Sequence, residues 1–181
     1  MSKTLEIEVK FRLEPGQRQR IMDELSGREC ACSDQEDQYF DVGDRVLRIR
    51  LENGRWLLTR KDRYQLTSEG TKIRQEVEVP IPVSFVSELE DLILWMGHEK
   101  LVRVKKRREA YRLDGVTMAL DRIEGLSEDF VELEVLSDRP ESASLLAGLR
   151  ERFGLRDDQV ELKSYARLLA ESRNAVADGR E

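Results

Sequence analysis

The chain has 181 residues, long enough for one domain with a substantial core. Charged residues make up 38% and hydrophobic ones 39%, yet the apolar residues are patterned, which excludes low-complexity disorder. A net charge of −6 argues against a general nucleic-acid or anionic-membrane surface, and no apolar run approaches the ~20 residues of a membrane span.

Alternating apolar and polar residues predict a first strand over Leu5–Leu13. Pro15-Gly16 opens a helix to Ser26-Gly27, with Ile21, Met22 and Leu25 on one face. Extended segments follow over Arg28–Asp41, Val46–Glu52, Trp56–Asp62 and Ile73–Val79. Asn53-Gly54 marks a tight hairpin, and Pro80 with Pro82 ends this run of strands. The helix Ser84–Met96 carries the stripe Val86, Leu89, Ile93, Met96, read as the face that packs on a sheet. Strands resume over Lys100–Leu113, Val116–Glu124 and Asp129–Ser137, with Asp114-Gly115 as another hairpin turn. Helices over Pro140–Phe153 and Lys163–Glu171 close a single domain of residues 1–171, and residues 172–181 read as a disordered tail.

Three of these strands repeat a carboxylate-apolar alternation: Glu6-Ile7-Glu8-Val9, Glu76-Val77-Glu78-Val79 and Glu132-Leu133-Glu134-Val135. In a strand the two glutamates of each segment point the same way, roughly 6.5–7 Å apart. Arg48 with Arg50, and Lys106 with Arg108, share the spacing. One such strand is an ordinary solvated sheet face, but several imply a common charged surface. The order strands–helix–strands occurs twice, hinting at a sheet that curls on itself with helices outside. Ile7, Val9, Val77, Val79, Leu133 and Val135 then face outward against the helices, and the charged set lines a polar tunnel. Parity gives interior acids Glu6, Glu8, Glu76, Glu78, Asp121, Glu132 and Glu134, and bases Lys10, Arg48, Arg50, Lys61, Arg74, Lys106, Arg108 and Lys163. So many charges cannot be buried dry, so the tunnel holds water, metal or an anionic ligand. Paired carboxylates suit divalent cations and paired bases suit phosphates.

There is no Gly-rich phosphate loop, and the lone His98 leaves no Ser-His-Asp or Cys-His arrangement. Cys30 and Cys32 are the only cysteines. On an extended strand they sit near the limit for a disulfide, with side chains poorly placed to join. Reduced thiols follow and, with no signal-peptide layout at the N-terminus, a cytoplasmic setting.

At this point the chain resembles the CYTH superfamily of triphosphate tunnel metalloenzymes, named for class IV adenylyl cyclase and thiamine triphosphatase. The resemblance rests on Glu6-x-Glu8-x-Lys10, Asp37-Gln38-Tyr39-Phe40-Asp41, Leu47-Arg48-Ile49-Arg50, Leu58-Thr59-Arg60-Lys61 and Arg74-x-Glu76-x-Glu78. Lys106-x-Arg108-x-x-Tyr111, Leu120-Asp121, Phe130-Val131-Glu132-Leu133-Glu134 and Lys163-Ser164-Tyr165 complete it, so it spans Leu5 to Leu169. It implies an α+β fold: an eight-stranded antiparallel closed β-barrel, a tunnel with a charged interior and helices packed outside. It also implies Mg²⁺ or Mn²⁺ at Glu6, Glu8, Glu132 and Glu134, and a small-molecule triphosphate (ATP or inorganic triphosphate) held by Lys10, Arg48, Arg50, Lys61, Arg74, Lys106, Arg108 and Lys163. Lys10 and Asp121 are the candidate catalytic residues.

The motifs look most like the class IV adenylyl cyclase branch, which turns ATP into cyclic AMP and pyrophosphate. Two departures stand out: Ser127 follows Gly125-Leu126 where that branch usually has Gly, and Asp62-Arg63 replaces a frequent Gly-Pro. The alternatives are a triphosphatase acting on inorganic, nucleoside or thiamine triphosphate and, distantly, a non-catalytic polyphosphate-binding module. No nucleic-acid or membrane partner is expected. Class IV cyclases are typically dimers, and Leu92-Ile93-Leu94-Trp95 is the candidate strip for a homodimer.

Overall fold

The computed structural model describes residues 4–177. Its strands are β1 (Leu5–Arg12), β2 (Ala31–Phe40), β3 (Val46–Glu52), β4 (Arg55–Lys61), β5 (Gln65–Leu66), β6 (Lys72–Ile81), β7 (Lys100–Leu113), β8 (Val116–Ile123) and β9 (Asp129–Ser137). The helices are α1 (Gln17–Glu24), α2 (Val86–Trp95), α3 (Leu145–Arg152) and α4 (Tyr165–Ala177). The sheet order is β1-β9-β8-β7-β2-β3-β4-β6, and pairing of β1 with β6 closes it into an eight-stranded antiparallel barrel. The two-residue β5 only extends the edge of β6.

Hairpin chemistry fixes the register. Asn53 and Gly54 sit at φ 47° and 77°, and Asp114 and Gly115 at 49° and 84°, the left-handed pairs that match strand twist in two-residue turns. Because side chains alternate, one register assigns every charge in β1 and β6, with Glu132 and Glu134 of β9, to one side of the wall.

Helices cover the outer apolar side in two places, and α4 packs on the inner face. Ile7, Val9, Phe11, Leu133 and Val135 are buried with Ile21 and Leu25, from α1 and its C-cap, and Leu146 and Leu149 of α3. Leu168 and Leu169 of α4 pack on Val102, Val104, Ile123 and Phe130, which share the inner face with Lys106, Arg108, Asp121 and Glu132. Ile93 of α2 packs on Phe40 and Ile49, with Val86 and Leu89 alongside.

The expected outward set is covered only in part. Val77 and Val79 are 39% and 48% exposed, because no helix lies over that end of β6. Met96 of the expected stripe and Leu92, Leu94 and Trp95 are also exposed, whereas Ile93 is buried. Pro80 does not end β6, which continues to Ile81 opposite Trp56. β1 pairs with β6 only from Gln75 to Lys72, so Pro80 lies where β6 has β4 alone as a neighbour, a free edge that tolerates proline. α4 continues through Ala177, into the segment expected to be a disordered tail; residues 178–181 of that segment lie outside the described residues. Among the described residues no helix is long and apolar enough to cross a membrane.

Candidate active site

The barrel encloses a cavity of about 530 Å³, lined by eleven Lys or Arg and eight Asp or Glu side chains. The whole chain is net negative, but this lining is net positive. Lys10, Arg48, Arg50, Lys61, Arg74, Lys106, Arg108 and Lys163 all line it, as do Glu6, Glu8, Glu132 and Glu134. Glu76 and Glu78 line it too; Thr59 donates a hydrogen bond to Glu78, 2.8 Å.

Asp121 does not line the cavity. It is fully buried on the same inner face, beneath the bases, where Arg108 grips it with two hydrogen bonds, Nε to Oδ1 at 2.8 Å and Nη2 to Oδ2 at 2.5 Å. Lys106 Nζ at 3.2 Å and the Tyr165 hydroxyl at 3.0 Å also donate to it. Its place is that of a brace for two cavity bases.

In β2, on the same inner face, Asp37 plays the same part. Arg50 donates Nε and Nη2 to its two oxygens at 2.6 and 2.8 Å, and Arg48 Nη1 lies 3.3 Å away. Burial alone would raise the pKa of Asp37, but Arg48 and Arg50 hold it well below the usual carboxylate range. The Arg48 Nε is buried without a partner, a donor still to be satisfied.

The acids of β1 are tied to bases of the facing strands. Arg74 donates Nε to Glu6 at 2.8 Å and Nη2 to Glu8 at 2.9 Å, while Lys61 pairs with Glu6. Burial raises the Glu6 pKa, and Lys61 and Arg74 more than reverse it. Arg108 also pairs with Glu132.

Glu134 stands apart: no hydrogen bond or salt bridge among the described residues compensates it, and it lies directly across the β1–β9 ladder from Glu8. Burial, reinforced by the charge of Glu6, pushes its carboxyl up to about 7. Two carboxylates directly opposite on one face repel, and the base bonded to Glu8, Arg74, is shared with Glu6.

At one end of the cavity, carbonyls of the segment before α4 cap two lysines. Lys72 donates to Leu162 O at 2.7 Å and Lys10 to Lys163 O. Lys10 also sits 4.1 Å over the Tyr165 ring. Burial lowers the pKa of both lysines. Burial and the neighbouring Arg108 bring Lys106 down to about 8. Lys163 is more exposed and pairs with Glu171 at 2.6 Å.

Lys72 and Gln35 line the site without having been read as site residues, and Asp37 was read only as part of a motif. Parity held the signal for Lys72, since 72, 74, 76 and 78 share one face. Asp37 and Gln35 share a face with Tyr39 in β2 in the same way.

Residues 4–165 match the CYTH domain family. The chain belongs to that family. Its CYTH relatives include the Methanocaldococcus jannaschii protein named "Putative adenylate cyclase MJ0240", 30% identical over 145 residues that cover 74% of this chain and 80% of the relative. PH1819 from Pyrococcus horikoshii superposes with a TM-score of 0.78 at 29% identity, over 93% of this chain and 99% of that one. HpAC1 from Hippeastrum, described as a putative adenylyl cyclase with dominant triphosphatase activity, gives 0.68 at 25% identity, over 92% and 95%. CYTH proteins act on triphosphates with divalent metal ions, and the lining of this cavity has the two donor sets that such a pair of ligands needs.

Among the described residues no three acid, His or Cys side chains gather into a ready-made cation cage. That is compatible with Mg²⁺, which keeps waters and takes one or two carboxylates together with substrate phosphates. Glu8 and Glu134, directly opposite each other in the cavity wall, fit such a partial site, with Glu6 and Glu132 alongside.

Proposed function

We propose that this protein is a metal-dependent triphosphatase that releases the terminal phosphate of a compact triphosphate, inorganic triphosphate foremost. The observation that carries this reading is the composition of the cavity. Nineteen of its lining residues are charged, its aliphatic ones are only Val46, Leu136 and Leu162, and of its aromatic ones, Tyr39, Tyr64 and Tyr165, the last two already have lysines over their rings, Lys72 on Tyr64 and Lys10 and Lys106 on Tyr165. A binding site for a purine needs apolar or aromatic faces, whereas a bare polyanion needs only the charges. The activity described for HpAC1 supports the same choice.

In this reading Arg48, Arg50, Lys61, Arg74, Lys106 and Arg108 bind phosphate oxygens, with Arg50 and Arg108 aimed by their carboxylate braces. Glu8 and Glu134 hold the cation, assisted by Glu6 and Glu132. Bound there, the cation supplies Lewis-acid neutralisation of phosphate charge and a more acidic water. Lys10 and Lys106 donate hydrogen bonds to the oxygens that gain charge as the bridging bond breaks. Asp121 acts as a positioning residue through Lys106 and Arg108 rather than as a catalytic one. Lys163 sits at the more exposed rim and assists entry.

A second reading, adenylyl cyclase, is favoured by the similarity to MJ0240. There the ribose 3′-hydroxyl of ATP attacks the α-phosphorus and pyrophosphate leaves. Chromatography after incubation with ATP, or with inorganic triphosphate, and Mg²⁺ or Mn²⁺ separates the two. Orthophosphate without cyclic nucleotide upholds the triphosphatase; cyclic AMP with pyrophosphate overturns it.

A further inference from the structure

Cys30 and Cys32 do not line the cavity, and nothing in the proposed reaction uses them. On a regular strand their side chains would be too far apart to join. The structure departs from that expectation. Cys30 precedes β2, which begins at Ala31, so the chain is not held in the pleat there. The two Sγ atoms approach to 3.0 Å, as free thiols. Cys32 is exposed and Cys30 half-buried, so one sulfur is open to attack from solvent and the other stands behind it. Cys32 is anchored opposite Glu109 of β7, whose carboxylate accepts a 2.8 Å hydrogen bond from Arg18 of α1. The fold therefore supplies both the proximity and a fixed frame for it.

We infer that Cys30 and Cys32 form a reversible dithiol–disulfide site that exchanges with small disulfides such as glutathione disulfide. The exposed Cys32 thiolate attacks one sulfur of glutathione disulfide and expels one glutathione thiolate. The Cys30 thiolate then attacks the Cys32 sulfur of the mixed disulfide and expels the second. The two cysteine protons end on two glutathione thiols; the protein is oxidised by two electrons and glutathione disulfide is reduced by two. Burial and the adjacent Cys32 sulfur raise the pKa of Cys30, which fits its role as the resolving rather than the entering thiol.

The test equilibrates the full chain against glutathione and glutathione disulfide at defined ratios, followed by acid quench, alkylation and intact mass. The expected product has lost two hydrogen atoms, takes up no alkylating agent and carries no glutathione. Cys30→Ser should stop at a single glutathione adduct on Cys32. The same titration in urea distinguishes a built site from mere nearness in sequence. The folded chain should favour the disulfide at least ~10-fold over the unfolded one, about 30 mV for this two-electron couple. Two alkylatable thiols at an oxidising poise, a stable double glutathione adduct, or equal potentials folded and unfolded would each overturn the inference.

Discussion

Replacing Asp37 by Asn keeps the shape of the brace and deletes its charge. Asp37 is 1% exposed and faces two guanidinium groups, Arg48 and Arg50, each less than a tenth exposed. Removing one member of a buried ion cluster typically costs ~3–5 kcal/mol, because the remaining charges stay desolvated and uncompensated. For a chain of this size each kcal/mol moves the midpoint by ~2–4 °C, so D37N should melt roughly 6–20 °C lower. A triphosphate would restore the missing negative charge. At 100-fold over Kd a ligand stabilises by about 2.7 kcal/mol, and the tripolyphosphate-induced shift should be larger in D37N than in the wild type. The sign against pH is also fixed. Asp37 has a depressed folded pKa, so its contribution is complete above the unfolded carboxylate range and disappears as pH falls toward the folded value. The gap between the two proteins should therefore close in acid. Differential scanning fluorimetry with and without tripolyphosphate reads all three. A drop of less than about 2 °C, with equal ligand shifts, would refute the idea that Asp37 neutralises the two arginines.

Arg50→Ala should weaken tripolyphosphate binding by about 1.5–3 kcal/mol, roughly 10- to 150-fold by calorimetry, since a charged, fork-shaped donor is lost. Glu134→Gln should abolish metal-dependent phosphate release while leaving the melting curve cooperative. Because the Glu134 carboxyl lies at about 7, Mn²⁺ binding to the wild type below that pH should release a proton that E134Q does not release, as buffers of different ionisation enthalpy would register. Lys106, at about 8, should lose its charge as pH rises past that value, so triphosphate affinity should fall on the alkaline side. Lys106→Arg should move that falling limb to higher pH; an unmoved limb would assign it to another group.

Much of the wall was legible because period-two alternation is a property of strands themselves. Glu6-x-Glu8-x-Lys10 and Leu47-Arg48-Ile49-Arg50 place their charges on one face whatever surrounds them. What parity cannot tell is how far behind that face a side chain lies. Asp121 and Arg108 sit opposite each other in the β8–β7 ladder, yet Arg108 reaches the cavity while the shorter Asp121 stays covered beneath it. Coverage of the outer face was equally hidden: Ile7 and Val77 have the same local pattern, but α1 and α3 reach the first and no helix reaches the second. The close approach of Cys30 and Cys32 depended on where β2 begins, and a boundary shift of a single residue decides it.

The pairings inside the cavity also make the two proposed ligands interdependent. Arg74 holds Glu6 and Glu8 together, and Glu8 is the cross-strand neighbour of the unpaired Glu134. A phosphate group that takes the Arg74 guanidinium would free Glu8, and Glu8 with Glu134 would then present two carboxylates to a cation. Triphosphate and metal thus each strengthen the other's binding, and the coupling is reciprocal. Arg74→Gln uncouples them by a route that wild-type titrations cannot offer. With the competing guanidinium gone, R74Q should bind Mn²⁺ more tightly than the wild type when no triphosphate is present, and should bind tripolyphosphate more weakly when no metal is present. Electron paramagnetic resonance of free Mn²⁺ measures the first and calorimetry the second. Weaker Mn²⁺ binding in R74Q would mean that Arg74 holds Glu8 in place for the metal rather than competing with it, and the proposed exchange of partners would be wrong.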